Sequence, residues 1–113
     1  MSKYSIVVNK AKQTIDMEVK GSFTAEDVEN FVKDYQAKVG SISADSFTLD
    51  VDCTSMDLLT KEMTPSLENS FKLYKQSGFN KVIFTIKKNP ILKMQLNRIA
   101  KSAGLTNSEI AEV

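Results

Sequence analysis

The stretch that decides the fold is NKVIFTIKKNPILKMQLNRIAKSAG, which spans residues 80–104. Its first part, residues 82–86, is a nearly continuous run of β-branched and apolar side chains, which is typical of a strand covered on both faces. Asn89 and Pro90 then predict the start of a helix, because proline at the first helical position loses no needed hydrogen bond. Gly104 ends this helix. Its predicted buried side consists of Leu92, Leu96, Ile99 and Ala103.

A second helix and a third strand precede this stretch. Thr64 and Pro65 predict the helix start, and Gly78 predicts its end. The apolar stripe of this helix comprises Leu67, Ser70, Phe71 and Tyr74. Further towards the N-terminus, alternation predicts a strand with Phe47, Leu49 and Val51 on one face and Thr48, Asp50 and Asp52 on the other. We expect residues 82–86 to pair with parallel neighbours, because strands separated by helices form right-handed crossovers.

The N-terminal third of the chain predicts a β-hairpin followed by the first helix. The buried face of the hairpin contains Tyr4, Ile6, Val8, Ile15, Met17 and Val19. Thr24 is the predicted N-cap of the helix, and Gly40 the predicted left-handed residue just past its end. The helix stripe comprises Val28, Phe31, Val32 and Tyr35.

The length and composition predict one domain that spans residues 1–113. An apolar fraction of 42% and a charged fraction of 26% are those of an ordinary globular protein. The element order β-β-α-β-α-β-α predicts an α/β fold, with helices packed on a mixed sheet. After Leu105 the tail adds at most one short element, for which Thr106 and Glu109 have the spacing of a capping box.

The residue types exclude most familiar catalytic designs. The chain has no histidine and one cysteine, Cys53, so it has no histidine-based nucleophile pair, zinc site or internal disulfide. We therefore expect no catalytic residues, no cofactor and no metal ligands. The N-terminus lacks the apolar stretch of a signal peptide, and no apolar run approaches the length of a membrane span. These features predict a cytoplasmic protein that does not contact membranes.

Several segments together resemble the STAS domain, the fold of sulfate transporter and anti-sigma-factor antagonist domains. They are Gly21-Ser22-Phe23-Thr24, Leu49-Asp50-Val51, Lys75-Gln76-Ser77-Gly78-Phe79, Asn89-Pro90-Ile91-Leu92 and Ala103-Gly104-Leu105. The resemblance covers nearly the whole chain as a pattern and implies the same fold with a role in protein–protein interaction. The antagonists carry a phosphorylatable serine in a Met-Asp-Ser-Ser-Gly-like segment, where this chain has Met56-Asp57-Leu58-Leu59. With leucines in place of both serines, only an offset alignment would offer Thr60 or Thr64 as the acceptor.

Two groups of residues could suggest catalysis, a phosphatase-like motif and a single cysteine, and each has a simpler structural interpretation. The segment Asp50-Val51-Asp52-Cys53-Thr54 matches the Asp-x-Asp-x-Thr motif of haloacid-dehalogenase-type phosphatases, with Thr85 as an imitation of their second motif. Residues 69–108 contain no acidic side chain to complete a Mg²⁺ site, so a solvated strand face is the better interpretation. Cys53 has acidic neighbours, which disfavour a thiolate, and we expect it to be a small buried apolar residue.

The charge distribution is the unusual feature of the sequence. Residues 1–68 carry 7 basic and 12 acidic side chains, whereas residues 69–108 carry 8 basic and no acidic ones. The candidate partner-binding residues are those of the third helix and the segment before it: Lys87, Lys88, Lys93, Met94, Arg98 and Lys101. Residues 53–64 are the second choice. The simpler interpretation is a solvated helix face whose cations complement the helix dipole and pair with the acidic part of the chain.

The sequence therefore favours a non-enzymatic interaction or regulatory module. Its partner would be a protein, acidic in charge, or a second copy of the chain. The alternative is a nucleic-acid-binding accessory protein, which the sequence pI of about 7.8 and the lack of interleaved aromatic residues disfavour. An aspartate-dependent phosphatase is a remote alternative.

Overall fold

The computed structural model describes residues 4–21, 25–56, 61 and 63–113. Within these residues the strands are β1 (Tyr4–Asn9), β2 (Thr14–Gly21), β3 (Thr48–Met56), β4 (Lys81–Ile86) and β5 (Ser108–Glu112). The α-helices are α1 (Ala25–Val39), α2 (Thr64–Ser77) and α3 (Pro90–Ala103), and a 3-10 turn at Ala44–Ser46 precedes β3. The chain is thus a single α/β domain with the predicted order plus a fifth strand.

The strands form one mixed sheet in the order β1-β2-β3-β4-β5. β1 is antiparallel to β2, and all the other neighbours are parallel. The prediction that residues 82–86 form a central strand with parallel neighbours is confirmed, since β4 lies between β3 and β5. Each crossover connects adjacent strands in the same direction across the sheet. Right-handed crossovers therefore place all three helices on one face.

The hydrophobic core lies between that face and the helices. The largest fully buried side chains are Tyr35, Phe71, Phe84, Ile15, Leu49, Ile86, Leu96 and Val82. The rings of Phe71 on α2 and Phe84 on β4 stack with centroids 4.8 Å apart. The expectation that β4 is covered on both faces is wrong: Ile83 and Thr85 point to the other face and are half-buried. We call this other face, which none of the described helices covers, the open face.

The helix boundaries follow the local signals, with one correction. Asn89 caps α3, and Gly78 and Gly104 end α2 and α3 with φ of 77° each. Gly40 follows α1 as expected, but its predicted left-handed conformation is wrong. Its N–H donates to the carbonyl of Gln36 at 3.0 Å, which continues the helical hydrogen-bond pattern. The predicted N-cap Thr24 lies outside the described residues.

The tail forms strand β5, so the helix start suggested by Thr106 and Glu109 is wrong. The N–H of Val82 donates to the backbone carbonyl of Asn107 at 3.1 Å, and the N–H of Val113 donates to the backbone carbonyl of Ile86 at 2.9 Å. The physical reason is that β4 would otherwise present unpaired backbone groups, which the tail satisfies. None of the helices described here has the length and apolar character needed to span a membrane.

Candidate interaction surfaces

Helix α3 is fixed on the covered face of the sheet, which determines what it exposes. The side chain of Asn89 accepts hydrogen bonds from the N–H groups of Ile91 and Leu92, at 3.1 and 3.2 Å. The predicted apolar side is buried in full, and it comprises Leu92, Leu96, Ile99 and Ala103, joined by Ala100. The remaining positions of the helix therefore face away from the sheet.

The outward side of α3 combines apolar and basic residues. Ile91 and Met94 are each 54% exposed, and Arg98 and Lys101 are also exposed. These four residues follow i, i+3, i+7 and i+10 spacing, which places them on one stripe of the helix. Among the described residues, no carboxylate lies within ion-pair distance of Arg98 or Lys101. We call this stripe the α3 surface.

The other predicted partner-binding residues lie beside this stripe rather than on it. The ammonium group of Lys93 contacts a carboxylate oxygen of Glu112 on β5 at 2.8 Å. This hydrogen bond lowers the pKa of Glu112, and the charges of Lys93 and Lys88 add to the effect. Lys87 and Lys88 are exposed but precede the helix. Lys101 lies about 16 Å along the helix axis from Pro90, the first residue of α3, so Lys87 and Lys88 are remote from it.

The basic part of the chain is thus neutralised only in part, by the two carboxylates of the tail and by Glu68 at the end of the acidic N-terminal part. Glu112 pairs with Lys93, and Glu109 pairs with Lys81. The two tail carboxylates and the intrahelical pair of Lys72 with Glu68 leave Arg98 and Lys101 without an ion-pair partner in the described chain. Intramolecular pairing, one of the two parts of the simpler interpretation, therefore accounts for Lys93 and not for Arg98 and Lys101.

The open face of the sheet brings together carboxylates that are distant in sequence. In the parallel register, Asp16 lies beside Asp50, and Glu18 lies beside Asp52. Sequence reasoning recognised the polar face of β3 but missed its juxtaposition with β2. The available signal was the matching alternation of acidic residues in both strands; the register that aligns them is a tertiary property.

The carboxylates around Asp50 repel its negative charge. Partial burial raises its pKa, and the neighbouring charges of Asp16 and Asp52 raise it further. Asp52 is held locally, since its Oδ1 accepts hydrogen bonds from Oγ1 of Thr54 at 2.7 Å and from the N–H of Thr54 at 2.9 Å. Asp50 has no comparable hydrogen bond or cation in the described chain, so nothing there offsets the effects that raise its pKa.

The residues that match the phosphatase motif lie within strand β3, on the open face, rather than at the end of the strand. Asp52 and Thr85 are register partners on neighbouring strands, so the structure brings together the two parts of the imitated motif. They lie on the open face, and β3 continues beyond Asp52 to Met56. Among the described residues, no group of three or more carboxylate, thiol or imidazole side chains is arranged to hold a metal ion.

Cys53 and the second-choice segment lie at the end of β3. Cys53 is 3% exposed, and burial together with the charge of Asp52 raises the pKa of its thiol to about 12. An apolar cavity of about 40 Å³ adjoins it, lined among others by Phe31, Met56 and Leu67. Residues 53–56 belong to β3, Thr64 begins α2, and Asp57, Leu58, Leu59 and Thr60 lie outside the described residues.

No protein-family model matches the chain, and no curated protein matches it significantly.

Proposed function

We propose that this chain is a non-enzymatic, cytoplasmic protein-interaction module with a STAS-like fold, and that the α3 surface is its binding site. The observation that carries the proposal is the exposure of Ile91 and Met94 beside two cations, Arg98 and Lys101, that have no ion-pair partner in the described chain. Apolar side chains inside a charged rim are typical of protein interfaces. The cations indicate an acidic partner, because complementary charge speeds encounter and excludes wrong partners.

The composition of the surface favours a protein over a nucleic acid. Nucleic-acid-binding surfaces without sequence preference stack bases on exposed aromatic rings. Seven of the aromatic side chains in the described residues are buried in the core, Tyr4 is half-buried, and α3 contains none. The α3 surface therefore offers phosphate contacts but no stacking platform.

The surroundings of Cys53, and those of Asp50 and Asp52, support a non-enzymatic role. The Cys53 thiol is buried, and its pKa of about 12 leaves no thiolate at neutral pH. Asp50 and Asp52 face two further carboxylates across the β2–β3 register. With no histidine in the sequence, no side chain is available as the usual neutral-pH base.

The decisive experiment compares one variant of the α3 surface with a matched control. The test variant carries Met94→Ala, Arg98→Glu and Lys101→Glu. The control carries Lys10→Glu and Lys12→Glu in the β1–β2 turn, which gives the same change in charge at an exposed site. Proteins cross-linked to the wild-type chain in cells of its source are identified, and the purified partner is then titrated against all three proteins.

The proposal predicts a partner protein that binds the wild type and the control but binds the test variant at least about tenfold more weakly. Met94→Ala alone should weaken binding measurably. The contrary result is sub-micromolar binding to single-stranded RNA or DNA at about 150 mM salt, independent of Met94 and falling linearly with log salt. That result would replace the proposal with the nucleic-acid alternative.

A further inference from the structure

The open face of the sheet is an acidic surface that lacks a partner. Its central rows comprise Val7, Asp16, Asp50, Ile83 and Glu109, and Ser5, Glu18, Asp52, Thr85 and Ala111. Two ion pairs neutralise part of its charge, Glu18 with Lys20 and Glu109 with Lys81. Asp16, Asp50 and Asp52 remain, at neighbouring positions of β2 and β3, without a cation within ion-pair distance in the described chain.

The same chain carries the complementary surface on its opposite side. The α3 surface presents Arg98 and Lys101 without carboxylates, and Lys87 and Lys88 extend the basic surface beyond the N-terminus of the helix. α3 packs on the covered face and exposes its outer side away from the sheet, so the two surfaces of one molecule cannot meet. They can therefore pair with each other only between molecules.

The dimensions of the two surfaces also match. α3 has 14 residues and is therefore about 21 Å long. The six residues of β4 extend about 20 Å, and the five strands of the sheet are about 19 Å wide between the outer strands. The helix can therefore lie across the open face, with Ile91 and Met94 near Ile83, the central apolar residue of that face.

We propose that two copies of this chain associate head to tail, with the α3 surface of one copy seated on the open face of the next. This inference rests on the proposed function and names a second copy as the acidic partner. The carboxylates that repel one another in the isolated chain, Asp16, Asp50 and Asp52, then face Arg98 and Lys101 of the neighbouring copy. Because the two contact surfaces differ, the association is heterologous and continues into a ring or a filament.

The size of the contact sets its strength. A helix about 21 Å long and about 10 Å wide covers about 200 Å² of the face, so the contact buries about 400 Å² over both copies, which is well below the size of a stable interface and permits only a weak, reversible contact. Exposed charges supply much of the attraction and are screened by salt. The association is therefore concentration-dependent and strongest at low ionic strength.

The test uses reciprocal charge reversal with sedimentation velocity. The helix variant carries Arg98→Glu and Lys101→Glu. The sheet variant carries Asp16→Lys, Glu18→Lys and Asp52→Lys, because the register partners Asp50 and Asp52 would otherwise neutralise the new lysines. Each has a matched control of equal charge change at exposed sites: Lys10→Glu with Lys12→Glu, and Glu26→Lys with Glu29→Lys and Asp45→Lys. Circular dichroism and thermal unfolding establish that each variant is folded. Asp50→Asn serves as a milder sheet variant, expected to weaken self-association, if the triple sheet variant does not fold.

The expected results follow from the pairing of opposite charges. The wild type and both controls associate at about 0.1–1 mM protein in about 20 mM salt, and association weakens at least about tenfold at about 300 mM salt. The helix variant and the sheet variant are each monomeric, because each presents two surfaces of the same sign. Their equimolar mixture associates again, since the acidic helix of one meets the basic sheet of the other.

The outcomes separate this inference from the proposed function. A wild type that stays monomeric under these conditions, or a mixture that does not associate, overturns the head-to-tail contact. If the α3 surface nevertheless binds a different protein, the proposed function stands and the occupant is that protein. Binding of a lysine-rich peptide to the open face without self-association likewise identifies a basic partner and overturns the second copy as occupant.

Discussion

The two faces of the sheet are built from the same strands and differ completely in what they contact. On β4, Phe84 packs against Phe71 under the helices, whereas its neighbour Thr85 lies on the open face beside Asp52. Alternate residues of one strand therefore face the buried core and the open face. Substitutions on the covered face should change folding, and substitutions on the open face should change mainly charge.

The largest expected effect is the loss of an aromatic ring from the covered face. Phe84→Ala should lower the free energy of unfolding by about 3–5 kcal/mol, because it removes the stacked contact with Phe71 and leaves a cavity. Thr85→Ala is the control on the same strand and should cost less than about 1 kcal/mol. Urea unfolding followed by circular dichroism measures both, and equal losses would remove the distinction between the faces.

The next effect concerns Cys53, which lies on the covered face next to the carboxylate of Asp52. Cys53→Ser should cost about 1–3 kcal/mol, because it buries a hydroxyl group in an apolar environment, and Cys53→Ala should cost less than Cys53→Ser. In the folded wild type the thiol should not react with a disulfide reagent at pH 8, since burial raises its pKa to about 12. Rapid labelling without unfolding would contradict the buried position.

A smaller effect is expected where α3 begins on the covered face. Asn89→Ala removes the two hydrogen bonds that the side chain accepts from Ile91 and Leu92, and it should cost about 1 kcal/mol. Asn97→Ala, at an exposed position of the same helix, is the matched control and should be nearly neutral. If Asn97→Ala costs as much as Asn89→Ala, the cap does not fix the helix.

The smallest effect has the opposite sign and belongs to the open face. Asp50→Asn should stabilise the chain at pH 7, by no more than about 1 kcal/mol, because it relieves repulsion from Asp16 and Asp52. The pKa of Asp50 is raised in the folded state, so its ionisation destabilises the fold. The gain should therefore shrink as the pH falls through that pKa and vanish below the ordinary value of 3.8.

Thermal unfolding of wild type and Asp50→Asn between pH 3 and pH 8 measures this gain. Asp45→Asn, an exposed carboxylate on the 3-10 turn, is the control. A gain that is constant with pH would show that the neighbouring charges are not its cause. In 1 M salt the gain should also decrease, because exposed charges are screened.

Most of the fold could be predicted from local signals, and the failures have a common origin. Prolines and glycines set the ends of α2 and α3, and alternation identified the covered side of the hairpin and of β3. The prediction for the tail is wrong because Thr106 and Glu109 have capping spacing, whereas β5 forms through backbone pairing with residues 26 positions earlier. Local spacing carries no information about a strand edge that must be satisfied elsewhere.

The candidate interaction surfaces could likewise be predicted where helical periodicity decides them and not where contacts between distant elements do. The stripe of Met94, Arg98 and Lys101 could be predicted because helical periodicity fixes which residues share a side. The pairing of Lys93 with Glu112 could not, since it depends on where β5 lies relative to α3. The apolar run at residues 82–86 was expected to be covered on both faces, although the structure leaves Ile83 and Thr85 on the open face.

The sequence by itself determined the element types as far as α3, the ends of α2 and α3, the covered side of each helix and the absence of histidine chemistry. These are set by short-range sterics, hydrogen bonding and periodicity within about ten residues. Only the tertiary structure decided that all the helices lie on one face, that Asp16 and Glu18 lie beside Asp50 and Asp52, and that the basic and acidic surfaces are on opposite sides. Those features depend on strand order and register, which arise from contacts between residues more than thirty positions apart.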